Sequence, residues 1–131
     1  MKDILCDDFQ NTVSELLIRH QSILDIQSKL QETSSRVNRA VAKAVTNCGC
    51  VQVKTEKKVL PPDSSISDLK NLINNHLEGE LCSSCRDIIE TEMGKSLFYM
   101  AALCNTLDIN LYDVLIKEHK KISTLRIFNF T

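Results

Sequence analysis

The sequence is poor in residues that interrupt helices and in residues that build sheets. It contains three glycines, two prolines and no tryptophan, and aromatic residues make up only 5% of the chain. Residues 1–48 contain neither glycine nor proline, so nothing in this stretch breaks a helix. The alternation of apolar and polar residues that is typical of a strand occurs only in the short segment Val51–Thr55. These scarcities argue against a sheet protein and predict an all-α fold.

The chain also lacks a strong positive charge and long apolar runs, which argues against nucleic acid and membranes as partners. Its formal net charge is −1 at pH 7, whereas a nucleic-acid-binding domain is usually strongly basic. No apolar run approaches the ~20 residues of a membrane-spanning helix, and the first residues lack the apolar core of a signal peptide. We therefore expect neither nucleic acid nor a membrane among the partners, and we expect a cytoplasmic location.

Length and hydrophobic periodicity together predict one helical domain over residues 1–131. Apolar residues at helical spacing predict helices over about 8–20, 22–46, 66–77, 85–106 and 111–124. The remaining segments are a cysteine-bearing loop over about 47–65 and a short tail over 125–131. Four to five helices with short connections indicate a bundle, and the long apolar helix over 22–46 favours a homo-oligomer that completes the core.

Local signals mark several helix ends. Gly49 is suited to a left-handed cap, and Ser65 with Asp68 resembles a capping box. Asn110 is a candidate N-cap, with Asp113 in the first turn of the last helix. The apolar residues of that last helix are expected to face the core: Leu111, Val114, Leu115 and Ile122.

Cysteine is the residue that the chain has in excess. Four of its six cysteines form two tight pairs, Cys48-x-Cys50 and Cys82-x-x-Cys85. A turn can direct two thiolates at such spacings toward one ion, and two such turns make a closed tetrahedral site. Zinc is the preferred ion, although an iron–sulfur cluster takes the same number of ligands. Redox-active thiols and plain packing of buried cysteines are the alternatives.

One stretch of the chain resembles a known family. Glu90-Thr91-Glu92-Met93-Gly94 leads into a helix that continues with apolar and aromatic residues to Leu103. This pattern is similar to the MazG-like nucleoside triphosphate pyrophosphohydrolases, and the segment Ile109–Leu115 resembles the opening of that family's next helix. The resemblance implies an all-α bundle that is completed by dimers or tetramers. It also implies the Mg²⁺-dependent release of pyrophosphate from a nucleotide.

The resemblance further implies a Mg²⁺ site of four acids on two helices, most of which this chain lacks. The family's Glu-x-x-Asp should fall on Glu92-Met93-Gly94-Lys95, where Lys95 replaces the aspartate. Its Glu-x-x-Glu should fall on Thr33-Ser34-Ser35-Arg36, where neither acid remains, although Glu32 lies beside this motif. Mg²⁺ prefers several carboxylate oxygens, so direct carboxylate ligands alone should not hold it here. The candidate catalytic residues that remain are Glu32, Glu90 and Glu92.

Arg36 and Lys95 leave three interpretations of this degenerate centre open. They pair with Glu32, Glu90 or Glu92 across the helix interface, or they bind a phosphate group without a metal ion. In the third interpretation, the remaining acids hold Mg²⁺ in a rearranged and still catalytic site.

The leading hypothesis is a non-catalytic or weakly active MazG-like module that binds a nucleotide or a protein partner. A metal site formed by the four paired cysteines stabilises it. An active Mg²⁺-dependent pyrophosphohydrolase is the first alternative, and a thiol- or metal-based redox sensor is the second.

Overall fold

The protein is mostly helical, as predicted. The computed structural model describes residues 4–57, 61–63, 65–68 and 74–126. The helices are α1 (Ile4–Leu16), α2 (Ile23–Lys43), α3 (Ser83–Thr106) and α4 (Leu111–Leu125); α2 is continued by a π-helical turn, Ala44–Cys48. Two short strands, β1 (Val51–Val53) and β2 (Leu77–Gly79), pair in antiparallel fashion. None of the described helices is long and apolar enough to cross a membrane.

The chain divides into two compact units. The first unit comprises residues 1–36 and 92–131, and the second comprises residues 37–91. Helices α2 and α3 contribute residues to both units.

A small apolar core holds the first unit together. Val13 of α1, Ile26 of α2, and Ala101 and Ala102 of α3 are each at most 1% exposed. Partly buried apolar residues pack around this core: Phe9, Leu17, Phe98, Leu103 and Leu111.

A buried glutamine joins α1 to the end of α3 and the start of α4. The Nε2 of Gln10 donates to Asn105 Oδ1 at 2.9 Å and to the Ile109 carbonyl oxygen at 2.7 Å. Its Oε1 accepts from the backbone N–H of Leu111 at 2.8 Å, and Asn105 Nδ2 donates to the Gln10 carbonyl oxygen. Because Gln10 is only 7% exposed, water has little access to its amide group, and these bonds supply the hydrogen-bond partners instead.

Helix α4 begins as the sequence predicts, but most of its apolar residues do not face the core. Asn110 caps the helix by accepting from the backbone N–H of Asp113 at 2.9 Å. Of the residues expected to face inward, Leu111 packs against the core, whereas three remain exposed: Val114, Leu115 and Ile122. The periodicity identified the apolar face correctly, but that face extends beyond the core of its own unit.

The predicted helix over 66–77 is wrong at its C-terminal end. Residues 66–68 are helical and their capping box forms, with Asp68 N donating to Ser65 Oγ and Ser65 N donating to Asp68 Oδ2. Residues 69–73 lie outside the described residues. The side chains of Asn74 and Asn75 accept from the backbone N–H groups of His76 and Leu77, which replaces helical hydrogen bonding by local turns. Residues 77–79 then form β2, a strand that the sequence did not predict.

The described part of the second unit has a small apolar core. Its buried residues among those described are Ala44, Val51 and Ile89, and partly buried neighbours such as Leu81 surround them. The strand ladder is only three residues long on each side, and the hydrogen bond from Lys54 N to the His76 carbonyl oxygen extends it. Sheets this short are marginal unless something else stabilises them.

Candidate metal centre

The end of α2 presents the first cysteine pair. The π-helical turn ends with the backbone N–H of Gly49 donating to the Ala44 carbonyl oxygen at 2.9 Å. Gly49 adopts φ 75°, a left-handed conformation that glycine reaches without strain and that confirms the predicted cap. This reversal directs the chain from Cys48 to Cys50 and into β1 within three residues. Wide turns of this kind occur frequently at functional sites.

The strand ladder brings the second cysteine pair beside the first. Val51, which follows Cys50, pairs with Gly79, which precedes the second pair. A Cβ atom on Gly79 would lie 2.6 Å from the carbonyl oxygen of Cys50, so only glycine permits this approach. Gly79 also has φ 89°, which disfavours any other residue. The two loops are therefore held together by backbone pairing at a position where no side chain fits.

Cys82 and Cys85 are positioned by the first turn of α3. The Sγ of Cys82 accepts from the backbone N–H of Cys85 at 3.4 Å, as the side-chain oxygen of an N-cap residue does. The Cys82 carbonyl oxygen accepts from the backbone N–H of Arg86 at 2.9 Å. The thiol therefore lies at the positive end of the helix dipole, which favours a thiolate.

The four sulfur atoms of Cys48, Cys50, Cys82 and Cys85 converge on one point. They all lie within 4.8 Å of one another, and Cys48 Sγ and Cys82 Sγ are 3.8 Å apart. Four thiolates at about 2.3 Å from a tetrahedral zinc ion have sulfur–sulfur distances of about 3.8 Å. Four cysteines this close can hold a metal ion, and their donor set is compatible with zinc or with an iron–sulfur cluster.

The local electrostatics favour one thiolate and oppose others. The hydrogen bond from the Cys85 backbone N–H lowers the pKa of Cys82 to about 7. The hydrogen bond with the Cys82 side chain, followed by burial, raises the pKa of Cys85 to about 12. The cluster thus favours a thiolate at Cys82 and a protonated thiol at Cys85, and a bound cation would favour the ionised form of both.

The remaining two cysteines are not part of this cluster. Cys104 is 6% exposed in the first unit, where burial raises the pKa of its thiol. This agrees with a packing role. Cys6 belongs to α1, in the same unit as Cys104. Among the described residues, the four paired cysteines are the only set of three or more acidic, histidine or cysteine side chains placed to share an ion.

The candidate residues of the degenerate centre pair within single helices. Arg36 Nη2 lies 3.0 Å from Glu32 Oε1, one turn away on α2, and Lys29 Nζ lies 3.1 Å from Glu32 Oε2. Lys95 Nζ lies 3.6 Å from Glu92 Oε1, one turn away on α3. The expectation of ion pairs is confirmed for Arg36 and Lys95, but the expectation that they cross the helix interface is wrong. Side chains three or four residues apart on one helix are already neighbours.

Thr33, Glu90 and Glu92 differ in their surroundings. Thr33 stands where the resemblance implies an acid; it is 4% exposed, and its hydroxyl donates to the backbone carbonyl oxygens of Lys29 and Leu30. Glu90 is exposed on α3. Glu92 is mostly buried, and its Oε2 atom has no hydrogen-bond partner in the described structure. An unpartnered buried carboxylate oxygen is an available acceptor.

Comparison with known proteins yields no relative for this chain. No protein-family profile matches it, and neither the curated proteins nor the solved structures contain a match. The resemblance to the MazG-like family therefore stays a prediction from the residues quoted above.

Proposed function

We propose that this chain is a MazG-like helical binding module that is stabilised by one zinc ion at Cys48, Cys50, Cys82 and Cys85. The observation that carries the proposal is the mutual approach of all four sulfur atoms to within 4.8 Å. In an iron–sulfur cluster the four thiolates are divided among two or four iron atoms, so thiolates on different iron atoms are further apart than those around a single ion. A set this compact favours a single tetrahedral ion, for which zinc and thiolates are well matched.

The proposed role of the zinc ion is structural, not catalytic. A catalytic zinc site keeps one ligand position open, whereas four cysteines fill all four positions. A structural ion would add to the described apolar core of the second unit, which consists of Ala44, Val51 and Ile89 with their partly buried neighbours. The ion would offset part of the negative charge of the thiolates and join the end of α2 to the start of α3.

The charges at the degenerate centre support binding without catalysis. Arg36 and Lys95 each have a carboxylate within 3.6 Å on their own helix, so they neutralise the acids that Mg²⁺ would require. Between the two kinds of ligand proposed, a protein partner is favoured over a nucleotide, because α4 carries exposed apolar residues such as Val114, Leu115 and Ile122. A second copy of the chain is the simplest such partner.

One observation favours the alternative of an active pyrophosphohydrolase. The unpartnered, buried Oε2 of Glu92 is an available cation ligand on the helix where the family resemblance expects one. In that case, Glu92 would hold Mg²⁺ together with water and the nucleotide's own phosphate oxygens.

Metal analysis of protein purified without oxygen, together with a pyrophosphate-release assay, tests these proposals. We expect about one zinc per chain, lost in Cys82→Ser but retained in Cys6→Ser, and no Mg²⁺-dependent release of pyrophosphate from the common nucleoside triphosphates. Iron with sulfide and visible absorbance would replace zinc by a cluster and favour the redox sensor. Pyrophosphate release that is abolished in Glu92→Gln would overturn the non-catalytic proposal. Protein without metal would overturn the zinc centre.

A further inference from the structure

Among the helices, the last one is covered little by the rest of the described chain. None of the residues of α4 is buried, although the helix is fifteen residues long. Leu111 packs against the core of the first unit, whereas the apolar residues that follow it are 37–56% exposed: Val114, Leu115, Ile122 and Leu125. A helix of this length is marginal in water when it stands alone, so its stability depends on packing of this face.

These exposed residues lie on one face with a charged pair among them. At 100° per residue, Val114, Leu115, Ile122 and Leu125 fall on the same side of α4 as Leu111. Glu118 lies at the centre of this apolar face, and Lys121 lies at its edge. Both Glu118 and Lys121 are exposed, and neither forms an ion pair among the described residues. A carboxylate in the middle of an apolar face favours a cationic partner over a purely apolar one.

We propose that this face of α4 binds the same face of α4 in a second copy of the chain, with the two helices antiparallel. A two-fold axis midway between His119 and Lys120 places Glu118 opposite Lys121 of the second copy. The same axis places Val114 opposite Leu125 of the second copy, and every contact occurs twice. The face is therefore complementary to itself in both charge and hydrophobicity, and this argues for a second copy as its occupant.

The interface is small, which limits its expected strength. Fifteen residues span about 22 Å at 1.5 Å per residue, so one pair of helix faces buries less than the ~800 Å² per partner of a standard interface. We expect a dissociation constant in the micromolar range, ~1–100 µM. This proposal rests on the self-association proposed above but not on the zinc ion.

Charge reversal at the two paired positions tests the proposed register. We expect Glu118→Lys and Lys121→Glu to weaken the dimer by about tenfold each, because each change brings two pairs of like charges together. An equimolar mixture of the two variants should restore dimers, since each variant then meets the opposite charge, and the double variant should dimerise by itself. Lys120→Glu is the matched control for Lys121→Glu, because it makes the same charge change on the opposite face of α4. It should leave the dimer unchanged.

Sedimentation velocity over about 1 µM to 1 mM protein, with circular dichroism to verify folding, measures these effects. Rescue in the mixture would establish the antiparallel register. A wild-type dimer that is insensitive to Glu118→Lys would overturn this surface and leave self-association in place. A wild-type chain that stays monomeric throughout would overturn both this surface and the proposed self-association. Neither result would bear on the zinc centre.

Discussion

The two units of the molecule are stabilised by different means. The first has a core of Val13, Ile26, Ala101 and Ala102, with a ring of partly buried apolar residues and the hydrogen bonds of Gln10 around it. The described part of the second has a buried core of three residues and a strand ladder of three pairs. What the second unit has instead is four thiols around one point.

If the proposed zinc ion binds these thiols, it would supplement hydrophobic burial in the second unit. Ordering a short segment costs roughly 1–2 kcal/mol of backbone entropy per residue, and in the described part of the second unit the buried apolar residues that offset this cost are one alanine, one valine and one isoleucine. A structural zinc site contributes about 10 kcal/mol or more of folding free energy. The second unit is therefore expected to depend on its ion, and the first unit is not.

Removal of the ion should produce the largest effect and should be confined to one unit. In Cys82→Ser, or after treatment with a strong chelator, we expect amide exchange in residues 44–54 and 77–89 to accelerate by more than about 100-fold. The amides of α1 and α4 should change little, because their core contains no ligand of the ion. Hydrogen-exchange mass spectrometry measures both regions in one experiment.

Cys6→Ser is the control for this experiment, since it removes a thiol from the first unit without touching the cluster. Unchanged protection of residues 44–54 in the metal-free protein would mean that the second unit is stable by itself. Equal loss of protection in both units would mean that the two units unfold together.

Much of this fold could be predicted because the signals are local. The caps at Gly49 and Asn110 and the capping box at Ser65 are set by residues within a few positions, and each forms as predicted. The strand β2 was missed because Leu77-Glu78-Gly79 has no pattern of its own, and its pairing with Val51 depends on a residue far away in the chain. The asparagine side chains at 74 and 75 were the available signal for a turn before it.

The cysteine site could be predicted because its signals are local too, whereas contacts that depend on how helices pack could not be predicted. The spacings Cys48-x-Cys50 and Cys82-x-x-Cys85 indicated two turns that share an ion, and the sulfur atoms do converge. The partners of Arg36 and Lys95 were only half predicted, because sequence spacing shows which side chains are neighbours on one helix but not which helix faces meet. The polar network of Gln10 gave no sequence signal, since a glutamine on a helix usually faces solvent.

A change at Gln10 should have the opposite effect to removal of the ion, because it should weaken the first unit and leave the second unchanged. Gln10→Leu removes three hydrogen bonds and leaves the Ile109 carbonyl oxygen and the Leu111 N–H without their partner. We expect a loss of about 2–3 kcal/mol in the free energy of unfolding. Tyrosine fluorescence reports this unit selectively, because both tyrosines, Tyr99 and Tyr112, belong to it.

The matched control is Gln21→Leu, since Gln21 is exposed and makes a single bond to the Leu17 carbonyl oxygen. We expect the zinc content to be unchanged in both variants. A Gln10→Leu protein as stable as Gln21→Leu would show that the hydrogen bonds of Gln10 do not stabilise the first unit.

The smallest effect is expected at Glu32, where the interacting groups are exposed. Hydrogen bonds from Lys29 and then Arg36 hold the pKa of Glu32 below its usual value of 4.5 in the folded chain. Because the folded state binds its proton less readily, the stabilisation is fully present above pH 4.5 and is lost as the pH falls through the lowered value. Glu32→Gln should therefore lower the melting temperature of the first unit by only about 2 °C at neutral pH. The difference from the wild type should vanish in acid.

The control for Glu32 is Glu15→Gln, which makes the same charge change at an exposed position in the first unit. Tyrosine fluorescence is again the suitable probe, because acid also releases a thiolate-bound metal and would unfold the second unit for a separate reason. A difference between Glu32→Gln and the wild type that persists at low pH would mean that the side chain acts through packing. A difference much larger than that of Glu15→Gln at neutral pH would mean that Glu32 stabilises the first unit by more than a surface ion pair does.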